Sequence, residues 1–461
     1  MATIGSDPSK TADAQRRRAI HRAAAAQFTA AMSQAVVPTW TQLPTSTQSA
    51  PPPLTGHVAV VWRNEFIVHG GGTDEGEASD RTYFYDLDAR RWVARELAGQ
   101  PALARRDHAA ALVGERLFLF GGASAAGTEL MRTMPVLHLR SRVWSRPAVY
   151  GRFPPAVSGH SLTAVGSRLV LLGGRIGQLS ALPDVYLFDT DAMAWTRRRA
   201  GDAREGALVK GKVPALGAAA PSERVHHLAV PYPGGTTADG AAGAPGVLLF
   251  GGGVLGEAGE VPNNELWLLR LADDSPGSRL GWERPLTSGA PPPPLLGHAG
   301  CVLGRARVAV FGGWGVGGVH GDLWLLDLAS WSWTTAPTAA AAATPLARKG
   351  HALVALGAAT AALFGGDDLG AAAAKAQAER DARDARAAAR GSRHANVQQG
   401  TLSARSGAAG AAGVSGGASA SSAATQRMLF DDLDLLTLAE PAIEETDWAG
   451  DADGSAAEAV S

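Results

Sequence analysis

An all-β chain, built as a closed ring of six four-stranded antiparallel sheets, is what this sequence predicts, and three observations carry the prediction. A histidine opens a short apolar run at His57, His108, His160, His227, His298 and His351. A second apolar run follows and ends on a glycine pair; the offset from histidine to first glycine is 13 or 14 residues in five of the six copies. Further on, a tryptophan closes the unit at Trp92, Trp144, Trp195, Trp282 and Trp333. Short apolar runs separated by turns read as strands of hairpins, so each copy supplies four strands. Such a sheet cannot cover both of its own faces, and sheets repeated at a fixed period bury them against copies of themselves.

Taken in order, residues 1–36 lack the repeat. No acidic residue occurs from Ala14 to Asn64, Arg16, Arg17, Arg18 and Arg22 cluster early, and Ile20, Ala24, Phe28 and Met32 fall on one helical face. The combination resembles an organelle transit peptide; a solvent-exposed or ring-capping helix is the alternative, favoured by Asp7 and Asp13. The stretch from Trp40 through Pro51-Pro52-Pro53 to Gly56-His57 copies the junction between units, as in Trp333 through Pro345 to Gly350-His351. It reads as the last strand of a blade that has no blade before it. In a ring that blade is the sixth, completed by the N-terminal strand so that no edge stays open. Trp448 competes for the same place, and the more regular spacing of Trp40 to the next histidine favours Trp40.

The glycine pairs are Gly70-Gly71, Gly121-Gly122, Gly173-Gly174, Gly251-Gly252, Gly312-Gly313 and Gly365-Gly366. The fourth copy is longer because residues 231–246 are inserted in its first hairpin, and Leu137-His138-Leu139-Arg140 makes the third strand of the second copy weaker. The sixth copy breaks after Asp368 and resumes at its third-strand candidate, Leu429 to Leu438. The chain therefore divides into a basic amphipathic extension (1–36), a body holding blades 1 to 5 and the first hairpin of blade 6 (37–370), an Ala-rich helical and Gly/Ser/Ala low-complexity insertion (371–427), the rest of blade 6 (428–450) and an acidic tail with no expected structure (451–461).

The motifs Phe118-Leu119-Phe120-Gly121-Gly122, Leu249-Phe250-Gly251-Gly252 and Phe364-Gly365-Gly366, each with its later tryptophan, resemble the kelch-repeat family of β-propellers. A repeat of about 50 residues is the kelch period. The resemblance spans roughly Trp40 to Trp448 and implies a six-bladed kelch-type propeller.

Bulk composition narrows the function classes. The formal net charge of -1 offers no global basic field for nucleic acid. One cysteine, Cys301, excludes disulfide staples and multi-cysteine metal sites and reads as a small core hydrophobe. No apolar run is long enough for a transmembrane helix, and no hydrophobic signal-peptide core is present. A monomeric propeller in the cytoplasm or nucleus is expected, with organelle import through residues 1–36 open.

The repeated letters read as scaffold. One histidine per blade places the six rings in separate inter-blade environments, beyond the reach of a shared metal, each expected to be satisfied by a backbone or neighbouring polar group. Glycine pairs allow close approach of blades; they lead into loops rather than opening a helix, so they are not phosphate loops. The tryptophans bury large areas between blades. No catalytic residue, metal ligand set or cofactor is assigned.

Function is therefore expected on loops. Strand alternation puts the loop between the second and third strands and the linker to the next blade on one face. The candidate binding residues there are Arg105, Arg106, Arg175, Arg224, Trp314, His320, Arg348 and Lys349. The kelch resemblance implies a rim that holds acidic or polar peptide loops of partner proteins through arginine forks, and Arg105, Arg224 and Arg348, each three residues before a repeat histidine, also occupy a position where kelch sequences use arginine for the scaffold. The reading is a non-enzymatic scaffold or adaptor; alternatives are a ubiquitin-ligase recognition subunit acting through a separate docking partner, and a metal-dependent enzyme. Charge reversal at Arg175 and Arg348 is expected to abolish partner capture with thermal stability unchanged.

Overall fold

The computed structural model describes residues 38–45, 48–124, 129–198, 220–234, 244–257, 259–271, 281–304, 306–336, 344–368 and 429–438. The extension 1–36, the insertion 371–427, Trp448 and the tail 451–461 lie outside them.

Six sheets carry four strands each in the order first, second, third, fourth. Blade 5 shows the plan: Ala299–Leu303, Arg307–Phe311, Leu323–Asp327 and Ser332–Thr335. Its register runs Cys301 to Ala309 to Leu325 to Thr334 across the sheet. Blade 1 is Val58–Trp62, Glu65–His69, Thr82–Asp86 and Arg91–Val93. Second strands are buried almost throughout, as in Glu65–His69 and Gly246–Phe250, because a neighbouring blade covers each of their faces. In blade 2 the third strand shrinks to Val136–His138, where the sequence pattern was weakest.

Apolar layers fill the space between successive blades. Phe118 and Phe120 of blade 2 pack on Leu169, Phe188 and Trp195 of blade 3, and Phe66, Tyr85 and Trp92 of blade 1 pack on Ala362, Phe364 and Leu433 of blade 6. Most aromatic rings meet at tilted or edge-on angles, such as Phe188 and Trp195 at 4.9 Å, and Tyr232 stacks on Trp331 at 5.9 Å; edge-on and offset-stacked arrangements are those their quadrupoles favour. Trp92, Trp144, Trp195 and Trp333 are buried in these layers, and Trp282 is half-buried.

Two devices close the ring. The strand Pro38–Gln42 pairs antiparallel with Leu433–Leu438, Trp40 opposite Leu436, and the Trp40 ring sits 5.3 Å from Phe311. The place left for a closing strand is thus filled by Trp40. The second device is a circle of main-chain hydrogen bonds made by the residue before each repeat histidine. The N–H of Asp107 donates to Gly56, Gly159 to Asp107, His226 to Gly159, Gly297 to His226, Gly350 to Gly297 and Gly56 to Gly350, at 2.7 to 2.8 Å. Every member has a positive φ, between 52° and 66°.

Glycine pairs serve two different neighbours. A Cβ on Gly121 would lie 2.4 Å from the carbonyl oxygen of Val157 and 2.6 Å from the His160 ring of the next blade; one on Gly122 would lie 2.8 Å from the Cβ of its own blade's His108. Linkers use a further glycine. Ala98–Gly99, Tyr150–Gly151 and Ser288–Gly289 pair in parallel with the outer strands of blades 2, 3 and 5, and a Cβ on Gly99 would lie 2.1 Å from the Trp144 carbonyl oxygen.

Candidate protein-binding face

Isolated bridges join Arg106 to Ala123, Ser158 to Arg175 and Lys349 to Asp367. Each ties the linker before a blade to that blade's loop between second and third strands, so both kinds of segment share one face around the hydrogen-bonded circle. All eight candidate residues belong to these segments, although their side chains do not all reach the surface.

Arg105, Arg224 and Arg348 are 1%, 2% and 0% exposed, which corrects the expectation that they form the rim. Each Nε donates to the carbonyl two residues earlier, on Leu103, Ser222 and Leu346, and each Nη1 donates to the first glycine of its own blade's pair, Gly121, Gly251 and Gly365. Arg224 also binds Glu265 at 2.7 Å, and Arg348 forks onto Asp432 at 2.6 and 2.7 Å. Burial pushes the Arg105 guanidinium down to about 10. A buried guanidinium is tolerated only with its donors satisfied, and here they hold the linker turns in shape. The expectation that reversing Arg348 spares thermal stability falls with this.

The other five stay nearer solvent. Arg175 donates to Gln178 O at 2.7 Å and is ion-paired with Glu260 of blade 4. Arg106 is half-buried with Asp107 at 4.0 Å, and Lys349 is half-buried. Trp314 is half-buried in a small sheet opposite Leu296, and His320 Nδ1 lies 3.8 Å from Asp322.

The repeat histidines are buried and neutral. Desolvation pushes His57 and His298 down to about 4 and His160 to about 3, and lowers His108, His227 and His351 well below the usual imidazole value. Nearby carbonyls of Leu54, Phe250 and Phe120 offset a little of that for His57, His298 and His160. His227 Nε2 meets Ser161 Oγ at 2.9 Å, and the carbonyls of Leu54, Phe120, Phe250 and Phe311 lie beside the rings of His57, His160, His298 and His351. Ring faces pack the wedge between blades, as with Phe250 and His298 at 5.3 Å. Among the described residues no group of three or more His, Cys, Asp or Glu is placed to hold a metal. Cys301 is buried, its thiol pushed up to about 12 by desolvation.

Two features of this face escaped the sequence reading. Asp107 and His226 stand in the circle where the other four members are glycine, and both take positive φ, 54° and 52°. Aligning the copies on their histidines exposes that departure. The second feature is apolar: the exposed large hydrophobic residues among those described are Leu103, Tyr150, Leu179, Val261, Leu286, Val316 and Leu346. All lie in the linkers or in loops between second and third strands, Tyr150 and Leu286 at the outer flank. On the opposite face three turns are closed internally: Asp86, Asp189 and Asp327 accept N–H groups of Ala89, Ala192 and Ser330 at 2.7 to 2.9 Å.

Comparison with known proteins agrees with this architecture. The KLHDC2/KLHL20/DRC7 Kelch-repeats domain matches residues 31–206 and 211–376. The chain belongs to the kelch-repeat family. Among curated relatives, Adagio-like protein 1 of Oryza sativa subsp. japonica is 30% identical over 63% of this chain and 42% of its own length. Host cell factor 2 of Homo sapiens is 27% identical over 60% of this chain and 32% of its own. This kelch chain therefore spans less than half the length of these relatives. The solved structure of YjhT superposes with a TM-score of 0.51 at 12% identity, covering 70% of this chain and 93% of that one, a likeness of fold. No helix among the described residues is long and apolar enough to cross a membrane.

Proposed function

We propose that this kelch propeller is a non-enzymatic scaffold or adaptor that binds a segment of a partner protein on the face carrying the linkers and the second-to-third-strand loops. The observation behind the proposal is the asymmetry of the two faces. Among the described residues the exposed large apolar side chains gather on one, and exposed apolar area of that kind marks interaction surfaces, whereas turns of the other in blades 1, 3 and 5 are closed by their own aspartates. Family membership supports the reading, since kelch repeats and the Adagio and host cell factor relatives fit adaptor roles. Recognition of an acidic segment by arginine forks loses its footing, because three of those arginines are buried.

Proximity labelling in the source cell tests it, using the intact chain, V316D/L346D on the loop face and S141D on the opposite face. The labelled partners should be lost with the double variant and kept with S141D. An identical set from all three would refute the assignment.

A further inference from the structure

We infer that an arc of the loop face over blades 3 to 6 takes a partner segment in which apolar residues alternate with basic ones. This rests on the loop-face reading above and adds the chemistry of the occupant. The arc is continuous. Arg175 in the blade 3 loop binds Glu260 in the blade 4 hairpin, Asn263 after that hairpin bridges Leu295, and Leu295–Leu296 pairs with Trp314–Gly315 of blade 5. From there the N–H of Gly313 donates to Arg348 O at 2.8 Å and that of Arg348 to His320 O at 3.2 Å, which joins blade 5 to the linker of blade 6.

Along this arc Leu179, Val261, Val316 and Leu346 are 65%, 55%, 83% and 60% exposed. Their display is built in. Val316 rides the tip of a hairpin closed by Trp314–Gly315 and Gly318–Val319, and Leu346 is held out by the grip of buried Arg348 on its carbonyl, 3.0 Å away. Single exposed apolar residues need no explanation; four on one connected arc, with none on the opposite face among the described residues, do.

Charge selects among occupants. Arg175, Arg224 and Arg348 are already held by Glu260, Glu265 and Asp432, so an incoming carboxylate finds the arginines taken. Among the described residues of the arc, half-buried Lys349 and exposed Arg152 remain as cations. Glu223, Glu257, Asp322 and Asp431 stand exposed, Asp322 beside His320 at 3.8 Å, and an incoming lysine or arginine meets them at the rim. Complementary rim charges act mainly on association rate and choice of partner, and the apolar anchors supply the hold.

The test uses short fluorescein-labelled peptides with one alternating leucine frame and lysine, serine or glutamate between the leucines, titrated against the full chain by fluorescence anisotropy. The lysine peptide should bind most tightly and the glutamate peptide least. Affinity for the lysine peptide should fall about tenfold in V316D/L346D, although the added carboxylates would strengthen a purely electrostatic attraction, and S141D should leave it unchanged. A glutamate peptide that binds as tightly and is lost in the double variant overturns the occupant's chemistry and leaves the face standing. Lysine-peptide binding that survives the double variant, or no binding by any peptide, overturns the arc itself.

Discussion

Replacing Arg348 by methionine should unfold this propeller at a distinctly lower temperature. Arg348 is 0% exposed, forks onto Asp432 at 2.6 and 2.7 Å, donates to Gly365 O and Leu346 O at 3.0 Å, and stacks 4.3 Å over the Phe430 ring. Methionine keeps much of the volume and the contact with Phe430, but it strands two carbonyls and the Asp432 carboxylate. Breaking a buried pair from one side costs about 3 to 5 kcal/mol. The Asp432 side chain is 20% exposed, which lets water take up part of the loss, so the low end, about 3 kcal/mol, applies. In a chain of this size that lowers Tm by roughly 5 to 10 °C. Scanning calorimetry or near-UV dichroism reads it, and R348M/D432L should recover part of the fall because neither charge is then stranded. A Tm within a degree or so of the parent would refute the scaffold role and return Arg348 to the rim.

Acid should destabilise the ring through the repeat histidines. Their folded pKa values are depressed to about 4 for His57 and His298 and about 3 for His160, so the unfolded chain binds more protons. Their stabilisation is complete above pH 6.5 and is lost as pH falls toward about 4; a flat Tm across that interval contradicts neutral buried rings. Asp434 acts in the opposite sense, because burial first and the neighbouring Asp432 charge second raise it to about 7. Its stabilisation is present below the unfolded carboxylate value and is lost as pH rises through 7, so D434N should raise Tm at pH 8 relative to the parent and lose that advantage at pH 5. Equal Tm differences at both pH values would exclude a buried, titrating carboxyl. G121A should cost on the order of 2 to 3 kcal/mol by denaturant titration, from the positive φ of 65° and the 2.4 Å approach to Val157 O; a cost under about 0.5 kcal/mol would remove the close-approach argument.

Much of the scaffold was legible because it repeats. Histidine, glycine pair and tryptophan each answer to one local demand, and six copies make the spacing audible above chance. The closing strand was legible for the same reason, since the stretch from Trp40 to His57 copies a junction between blades. The candidate site was less so. Arg105, Arg224 and Arg348 share a position three residues before a histidine, and sequence shows the position without showing that the guanidinium turns inward to carbonyls of its own blade. The exposed leucines and valines were missed because an apolar residue in a loop looks like any other until burial is measured.

The sequence by itself determined the class and the repeat unit and favoured Trp40 over Trp448 for the closing strand, because hydrophobic period and turn residues are local properties; the pairing with Leu433–Leu438 decided it. Tertiary structure alone decided which side chains face solvent and which charges are already spoken for. Ion pairs such as Arg175 with Glu260 and Arg348 with Asp432 join residues 85 and 84 positions apart. No window along the chain brings such partners together; packing blade 3 against blade 4 does so for the first pair, and pairing the distant second and third strands of blade 6 does so for the second.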